Sequence, residues 1–300
     1  MSVPSAAREL RRTPRVLSIA GSDSGGGAGI QADLKAFARC GVHGMTAVTA
    51  ITAQNTVGVS VVHPLPGEIV LAQVRAVLAD IGADAVKVGM LGSREVILAV
   101  ATALRELPAG TPVVVDPVMV AESGASLLQT DAEQALVEQI LPLAGVITPN
   151  LPEARALARW VQPGERRACG EEDEHEDEQL ARALLALGPG AVVLTGGHRS
   201  SSSDLLCVPC REVIRIPGER FPDGAAHGSG CTHSSVLAAQ LAIGVGLSEA
   251  ARIARDLAGQ AVRDGLRDIG AGVGPVDVLG IRRRSRCHGE PRGADCGARR

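Results

Sequence analysis

Short runs of aliphatic and β-branched residues recur along the chain at 16–20, 47–53, 85–88, 113–115, 146–148 and 191–194. They have strand length, and the stretches between them repeat apolar positions at helical spacing, as Ile30, Leu34, Phe37 and Ala38 do. Strands that alternate with helices predict an α/β fold with a doubly wound, mainly parallel sheet covered by helices on both faces. Two Phe, one Trp and no Tyr leave the core to Ala, Val, Leu and Ile, which suits strands buried on both sides.

The pattern fades at both ends. Residues 1–13 read as a flexible arm and residues 281–300, rich in Arg and Gly, as a disordered tail, which leaves a single folded domain over 14–280. The acidic run from Glu171 to Glu178 reads as a solvated loop whose acidic end suits the start of the helix expected at 180–187.

Composition narrows the function classes. A net charge of -3 supplies no basic field for nucleic acid, and 1% aromatic residues supply no stacking platform for bases. No apolar run reaches membrane-spanning length, and the run at 16–20 is too short for a signal-peptide core, so a cytoplasmic protein is expected. Seven cysteines, an odd number without scaffold spacing, predict reduced thiols. Cys207 and Cys210 have zinc-like spacing but no second ligand pair, and are read as residues of a short strand.

The chemistry gathers where strands end. The exits read Gly21-Ser22-Asp23, Gln54-Asn55, Gly89-Met90, Asp116-Pro117, Pro149-Asn150 and Thr195-Gly196-Gly197-His198. In open α/β sheets ligands bind outside the carboxyl ends of the strands, so six polar or glycine-rich exits imply one shared site. Asp33 falls near the mouth of the first helix, either within reach of a ligand or as a surface acid. Gln54 offers a donor and an acceptor on one planar group, which matches the edge of an aminopyrimidine or similar heterocycle. Asp116, Asn150 and Glu153 bring oxygen atoms suited to Mg²⁺ beside phosphates, although Glu153 equally fits a first-turn helix acid. Lys87, one of only two lysines, points away from the face of Val86 and Val88, to reach a phosphate, pair a carboxylate or snorkel to the surface.

The most informative segment is His227-Gly228-Ser229-Gly230-Cys231-Thr232, which runs into a helical stretch. Glycines expose backbone N–H groups and a helix start leaves its first donors unpaired, so the junction suits an anion. Cys231 at the helix mouth is expected to have a lowered thiol pKa, as a proton acceptor or anion ligand. The alternative is a glycine turn that caps a core helix, with Cys231 a small buried hydrophobe.

Taken in order, the segments 20–33, 49–58, 87–91, 116–120, 147–153, 196–198, 227–232 and 272–276 resemble the hydroxymethylpyrimidine/phosphomethylpyrimidine kinases of thiamine biosynthesis, within the ribokinase-like superfamily. The resemblance covers roughly residues 14–279. It implies an ATP- and Mg²⁺-dependent enzyme that phosphorylates 4-amino-5-hydroxymethyl-2-methylpyrimidine to its monophosphate and then to its diphosphate, and that forms a homodimer. By position, Gly21, Ala28, Asp33, Gln54 and Met90 would line the pyrimidine pocket. Gly228, Ser229, Gly230 and Cys231 would form the anion hole, with Cys231 as base. Asp116 and Glu153 would position the metal, and Asn150, Thr195 and Gly197 would contact the nucleotide. The family often carries Lys where this chain has Thr195 and Glu122, which removes positive charge near phosphate and bears most on the second phosphorylation. A pyridoxine or pyridoxal kinase of the same superfamily and a non-catalytic pyrimidine-binding protein are the competing expectations.

Overall fold

A computed structural model describes residues 12–119, 130–161, 173–196, 203–222 and 224–282. Its elements are, in order, β1 (Arg15–Ala20), α1 (Gly29–Arg39), β2 (His43–Val48), β3 (Ala50–Asn55), β4 (Gly58–Pro64), α2 (Gly67–Asp80), β5 (Ala85–Val88), α3 (Arg94–Arg105), β6 (Val113–Val115) and α4 (Thr130–Ala135). A π turn (Leu136–Ile140) and a 3₁₀ turn (Leu141–Leu143) follow, then β7 (Val146–Ile147), α5 (Leu151–Ala158), α6 (Asp173–Leu184), β8 (Val192–Leu194), β9 (Asp204–Cys207), β10 (Ile214–Ile216), α7 (Ser229–Ala242) and α8 (Leu247–Arg263).

Eight strands form one sheet in the order β10-β9-β8-β7-β6-β5-β1-β2, parallel from β2 to β8, with β9 and β10 antiparallel at one edge. Strand alternation sorts the side chains onto two cores. Leu17, Ile19, Val86, Val88, Val113, Val115 and Ile147 pack with α2, α3, α5 and α6. Val16, Val114, Val146 and Val193 pack with Phe37 of α1 and the Ala-rich faces of α7 and α8. Ser18 and Lys87 sit out of phase with the first set and so face the α1 and α7 layer, as the alternation around Lys87 predicted. The doubly wound architecture read from the pattern is the one observed.

Three local expectations need correction. The run at 47–53 is not one strand: buried Thr49 donates its N–H to the Ala20 carbonyl and its hydroxyl to the Met90 carbonyl, and the chain leaves the sheet there to form the separate β3–β4 ribbon. The acidic run is not a loop over its described part: residues 173–178 lie in α6, and Glu178 pairs with Arg215 at 2.7 Å. Of the Cys207 and Cys210 pair, only Cys207 lies in a strand; Cys210 is exposed in the following turn at φ 57°. Most of the N-terminal arm, residues 283–300 of the tail, Glu122 and Gly197 lie outside the described residues.

Candidate active site

β1 is flanked by β2 on one side and β5 on the other, so the chain reverses its direction of travel across the sheet at β1. A crevice opens at such a point because the connections on either side lead to opposite faces. Here a cleft of about 390 Å³ lies over the carboxyl ends of β1 and β5 to β8, closed on one side by the start of α7. Gly21, Ala28, Gln54, Met90, Asp116, Asn150, Glu153, Thr195, Gly228, Ser229, Gly230 and Cys231 all line it. Asp33 does not, for a reason that appears below.

The glycine-rich loop and the start of α7 are held against each other. Asp23 accepts the N–H groups of Gly25, Gly27 and Ala28 at 2.8–2.9 Å, and its Oδ2 lies 3.0 Å from His227 Nε2. Burial pushes this carboxyl up, but the hydrogen bonds from His227, Ala28 and Gly25 outweigh it and hold the pKa below the ordinary value. Gly228, at φ 83°, caps α7 in a left-handed conformation, and a Cβ there would overlap the Gly27 carbonyl. The Ser229 N–H bonds to the Ala226 carbonyl. Those of Gly230 and Cys231 point out of the first turn, where no intrahelical acceptor exists. Two free donors beside a positive helix end are what an anion needs.

Around this cradle lie Cys231, Asp116, Glu153 and Lys87. The Cys231 thiol departs from expectation: burial pushes it up to about 12, with the Asp116 and Asp33 charges adding to the rise, against the opposing pull of Lys87. Desolvation and two carboxylates outweigh the helix mouth, so the thiol is neutral near pH 7. Asp116 hangs from the end of β6 and accepts the Ser234 hydroxyl at 3.0 Å; burial raises its pKa despite nearby Lys87. Glu153 is both residues imagined for it. It completes a capping box with Asn150, with paired bonds of 2.9 Å, and it lines the cleft. Burial and the Asp116 charge push it to about 8.

Asp33 is fully buried behind the cleft. It accepts the Ser18 hydroxyl at 2.6 Å, the Ser235 hydroxyl at 2.7 Å and the Lys87 ammonium at 3.0 and 3.1 Å. Its oxygens are committed to α7, β1 and β5, so it cannot meet a ligand in the cleft as the sequence suggested.

The wall on the α8 side was not foreseen. Asp204, at the start of β9, accepts the Gly196 N–H at 2.8 Å and lies 3.1 Å from His233 Nε2 on α7 and 3.8 Å from Arg255 on α8. Burial raises this carboxyl, yet His233, Arg255 and the Gly196 N–H bring its pKa below the ordinary value. Nothing local in the sequence marks these residues, because their meeting depends on how α7 and α8 pack. Gln54, at the other end, lines the cleft, with its Oε1 3.3 Å from the Thr52 hydroxyl, which donates to the Ser22 carbonyl at 2.8 Å.

A family model described as phosphomethylpyrimidine kinase matches residues 23–277, and the chain belongs to that family. It is 47% identical over 266 residues to the hydroxymethylpyrimidine/phosphomethylpyrimidine kinase of Rhizobium meliloti, covering 88% of this chain and 96% of that protein. The Haemophilus influenzae enzyme of the same name is 44% identical over 273 residues, covering 89% and 97%. Among solved structures, the phosphomethylpyrimidine kinase of Clostridium difficile superposes with a TM-score of 0.68 at 38% identity, covering 81% of this chain and 96% of that one. The pyridoxal kinase of Staphylococcus aureus, in complex with AMP-PCP and pyridoxal, gives 0.77 at 33% identity, covering 90% and 95%. These relatives carry the ribokinase-like fold that the motifs implied.

Proposed function

We propose that this protein phosphorylates 4-amino-5-hydroxymethyl-2-methylpyrimidine with ATP and then phosphorylates the product to the diphosphate, within thiamine diphosphate biosynthesis. The observation that carries the reading is the cleft itself, in which an aminoheterocycle-matching amide, Gln54, and an anion cradle at Gly228–Cys231 share one wall-to-wall space in a chain of this family. Gly21, Ala28 and Met90 form the flat apolar side of the ring pocket, and a Cβ on Gly21 would overlap the Met90 methyl. Asn150, Thr195 and Gly197 are assigned to the nucleotide.

Phosphoryl transfer asks a protein mainly for positioning and charge neutralisation. The Gly230 and Cys231 N–H groups hold the migrating phosphoryl; the Cys231 thiol is neutral near pH 7, so it can take the substrate hydroxyl proton only in its thiolate form, as that oxygen bonds phosphorus and becomes acidic. Mg²⁺ fits the residues present: Asp116 and Glu153 are buried, border the cleft and raise the Glu153 proton affinity through their mutual repulsion, which a divalent cation relieves. When bound, the metal neutralises phosphate charge.

A second reading, pyridoxal phosphorylation, draws on the higher TM-score with the pyridoxal kinase. The ratio of kcat/KM for hydroxymethylpyrimidine over pyridoxal decides between them: a ratio well above one supports the proposal, and an inverted ratio supports the second reading. The reading also takes the protein to be a cytoplasmic homodimer; sedimentation of the purified chain tests the dimer, and fractionation of cells that express it tests the location. No helix among the described residues is long and apolar enough to cross a membrane.

A further inference from the structure

Lys87 is fully buried, yet it borders the floor of the cleft. Two features show that its ammonium is deliberately accommodated. A Cβ on Gly89 would come within 2.8 Å of Lys87 Nζ, so the glycine two residues on in Lys87-Val88-Gly89 leaves room for the side chain to curl towards the exit of β5. Asp33 is held in place from α7 and β1 by the Ser235 and Ser18 hydroxyls, and it meets the ammonium from behind with both oxygens. Asp33 is the one hydrogen-bond partner of Lys87 among the described residues, so of three N–H donors at least one remains uncommitted.

The charge pattern says what that donor is for. The other basic residues on the cleft are Arg220, on its outer lip, and Arg255, which is engaged by Asp204. Threonine stands at 195, where the family resemblance would often place a lysine, so the cleft floor has Lys87 as its buried cation. Although burial works against its charge, the Asp33 carboxylate and the nearby Asp116 keep Lys87 protonated.

We propose that Lys87 belongs to the phosphate-binding machinery: held from behind by Asp33, it presents its remaining N–H to the phosphoryl group seated on the first turn of α7. The inference rests on the kinase reading above and adds to it a cation that compensates for Thr195.

Lys87→Met alone leaves Asp33 buried without its counter-charge and is expected to fold poorly. Lys87→Met/Asp33→Asn removes both charges and is the informative variant. Its affinity for ADP with aluminium fluoride and Mg²⁺, a mimic of the phosphoryl in flight, is compared with its affinity for ADP alone, alongside the thermal shift with hydroxymethylpyrimidine. The expected result is an unchanged pyrimidine shift, near-normal ADP binding and loss, on the order of 10²-fold, of the tightening that aluminium fluoride gives the wild type. A double variant that folds and keeps the wild-type tightening overturns the assignment and leaves the kinase reading intact. Wild-type protein that phosphorylates no pyrimidine and gains nothing from aluminium fluoride overturns both.

Discussion

His227 and Asp23, 204 residues apart, meet through Nε2 and Oδ2 at 3.0 Å, and this contact joins the glycine-rich loop after β1 to the glycine turn that opens α7. Gly27 lies directly under the imidazole, where a Cβ would overlap the ring. The loop after β1 and the first turn of α7, two sides of one cleft, are thus built as one clasp. Asp23→Ala removes the acceptor for three backbone N–H groups as well as for His227, and should destabilise the fold by about 1–3 kcal/mol while raising KM for both substrates. Because the Asp23 pKa is held below its ordinary value, this stabilisation is present above the ordinary carboxylate range and is lost as pH falls through the folded-state pKa. Thermal denaturation from about pH 3 to 7 checks it: Asp23→Ala should show a flatter acid limb than wild type.

The Cys231 thiol, raised to about 12, should alkylate more slowly than exposed Cys210 near pH 7, and its rate should climb with pH without levelling below about 10. Mg²⁺ should lower the pH at which it reacts, since Asp116 is among the charges that raise it. Mass-spectrometric mapping of alkylated peptides gives the order directly. Cys231→Ala keeps the backbone donor and should retain ATP binding while kcat falls by about 10²–10⁴; near-wild-type turnover would confine the residue to its N–H.

Glu153 carries a pH signature of the opposite sign to Asp23. Its folded-state pKa of about 8 lies above that of an exposed glutamate, so its contribution is fully present at low pH and is lost as pH rises through about 8. Glu153→Gln can still cap the Asn150 N–H. The variant should therefore melt higher than wild type at pH 8 to 9 and nearly equal to it at pH 4, as differential scanning calorimetry across that range would show.

The boundary of the folded unit can be placed more finely than the sequence allowed. Buried Asp277 accepts the N–H groups of Ile281 and Arg282 at 2.8 and 2.9 Å, so these two residues belong to the body and not to the tail that begins at 281 by composition. Ending the chain at Arg282 should leave the melting temperature and turnover near wild type. Ending it at Gly280 should cost about 1–3 kcal/mol, because Asp277 then loses both backbone donors.

What the sequence revealed and what it hid follow from the range of the interactions involved. Strands such as Val113–Val115 and Val146–Ile147 carry their own signal, because both faces are buried and every residue must be apolar. The glycine turn that opens α7 was legible for a similar reason, since Gly228 takes a left-handed φ that favours glycine. Asp33 was misplaced because helical spacing gives its face but not its depth; only the approach of Ser18, Lys87 and Ser235 from other elements shows that it is fully engaged. The Cys231 thiol was misjudged because the helix end is a local feature, while the desolvation and the two carboxylates that outweigh it come from the tertiary fold. Asp204, His233 and Arg255 left no trace in the sequence, as each comes from a different element.

The central claim is that the cleft transfers a phosphoryl group from ATP to a hydroxymethylpyrimidine. Incubating the purified protein with ATP, Mg²⁺ and 4-amino-5-hydroxymethyl-2-methylpyrimidine and following the products by mass spectrometry tests it most directly. The account predicts the monophosphate first and the diphosphate afterwards, the second step the slower because Thr195 supplies no positive charge. ATP and pyrimidine recovered unchanged, from protein shown to be folded, would contradict it.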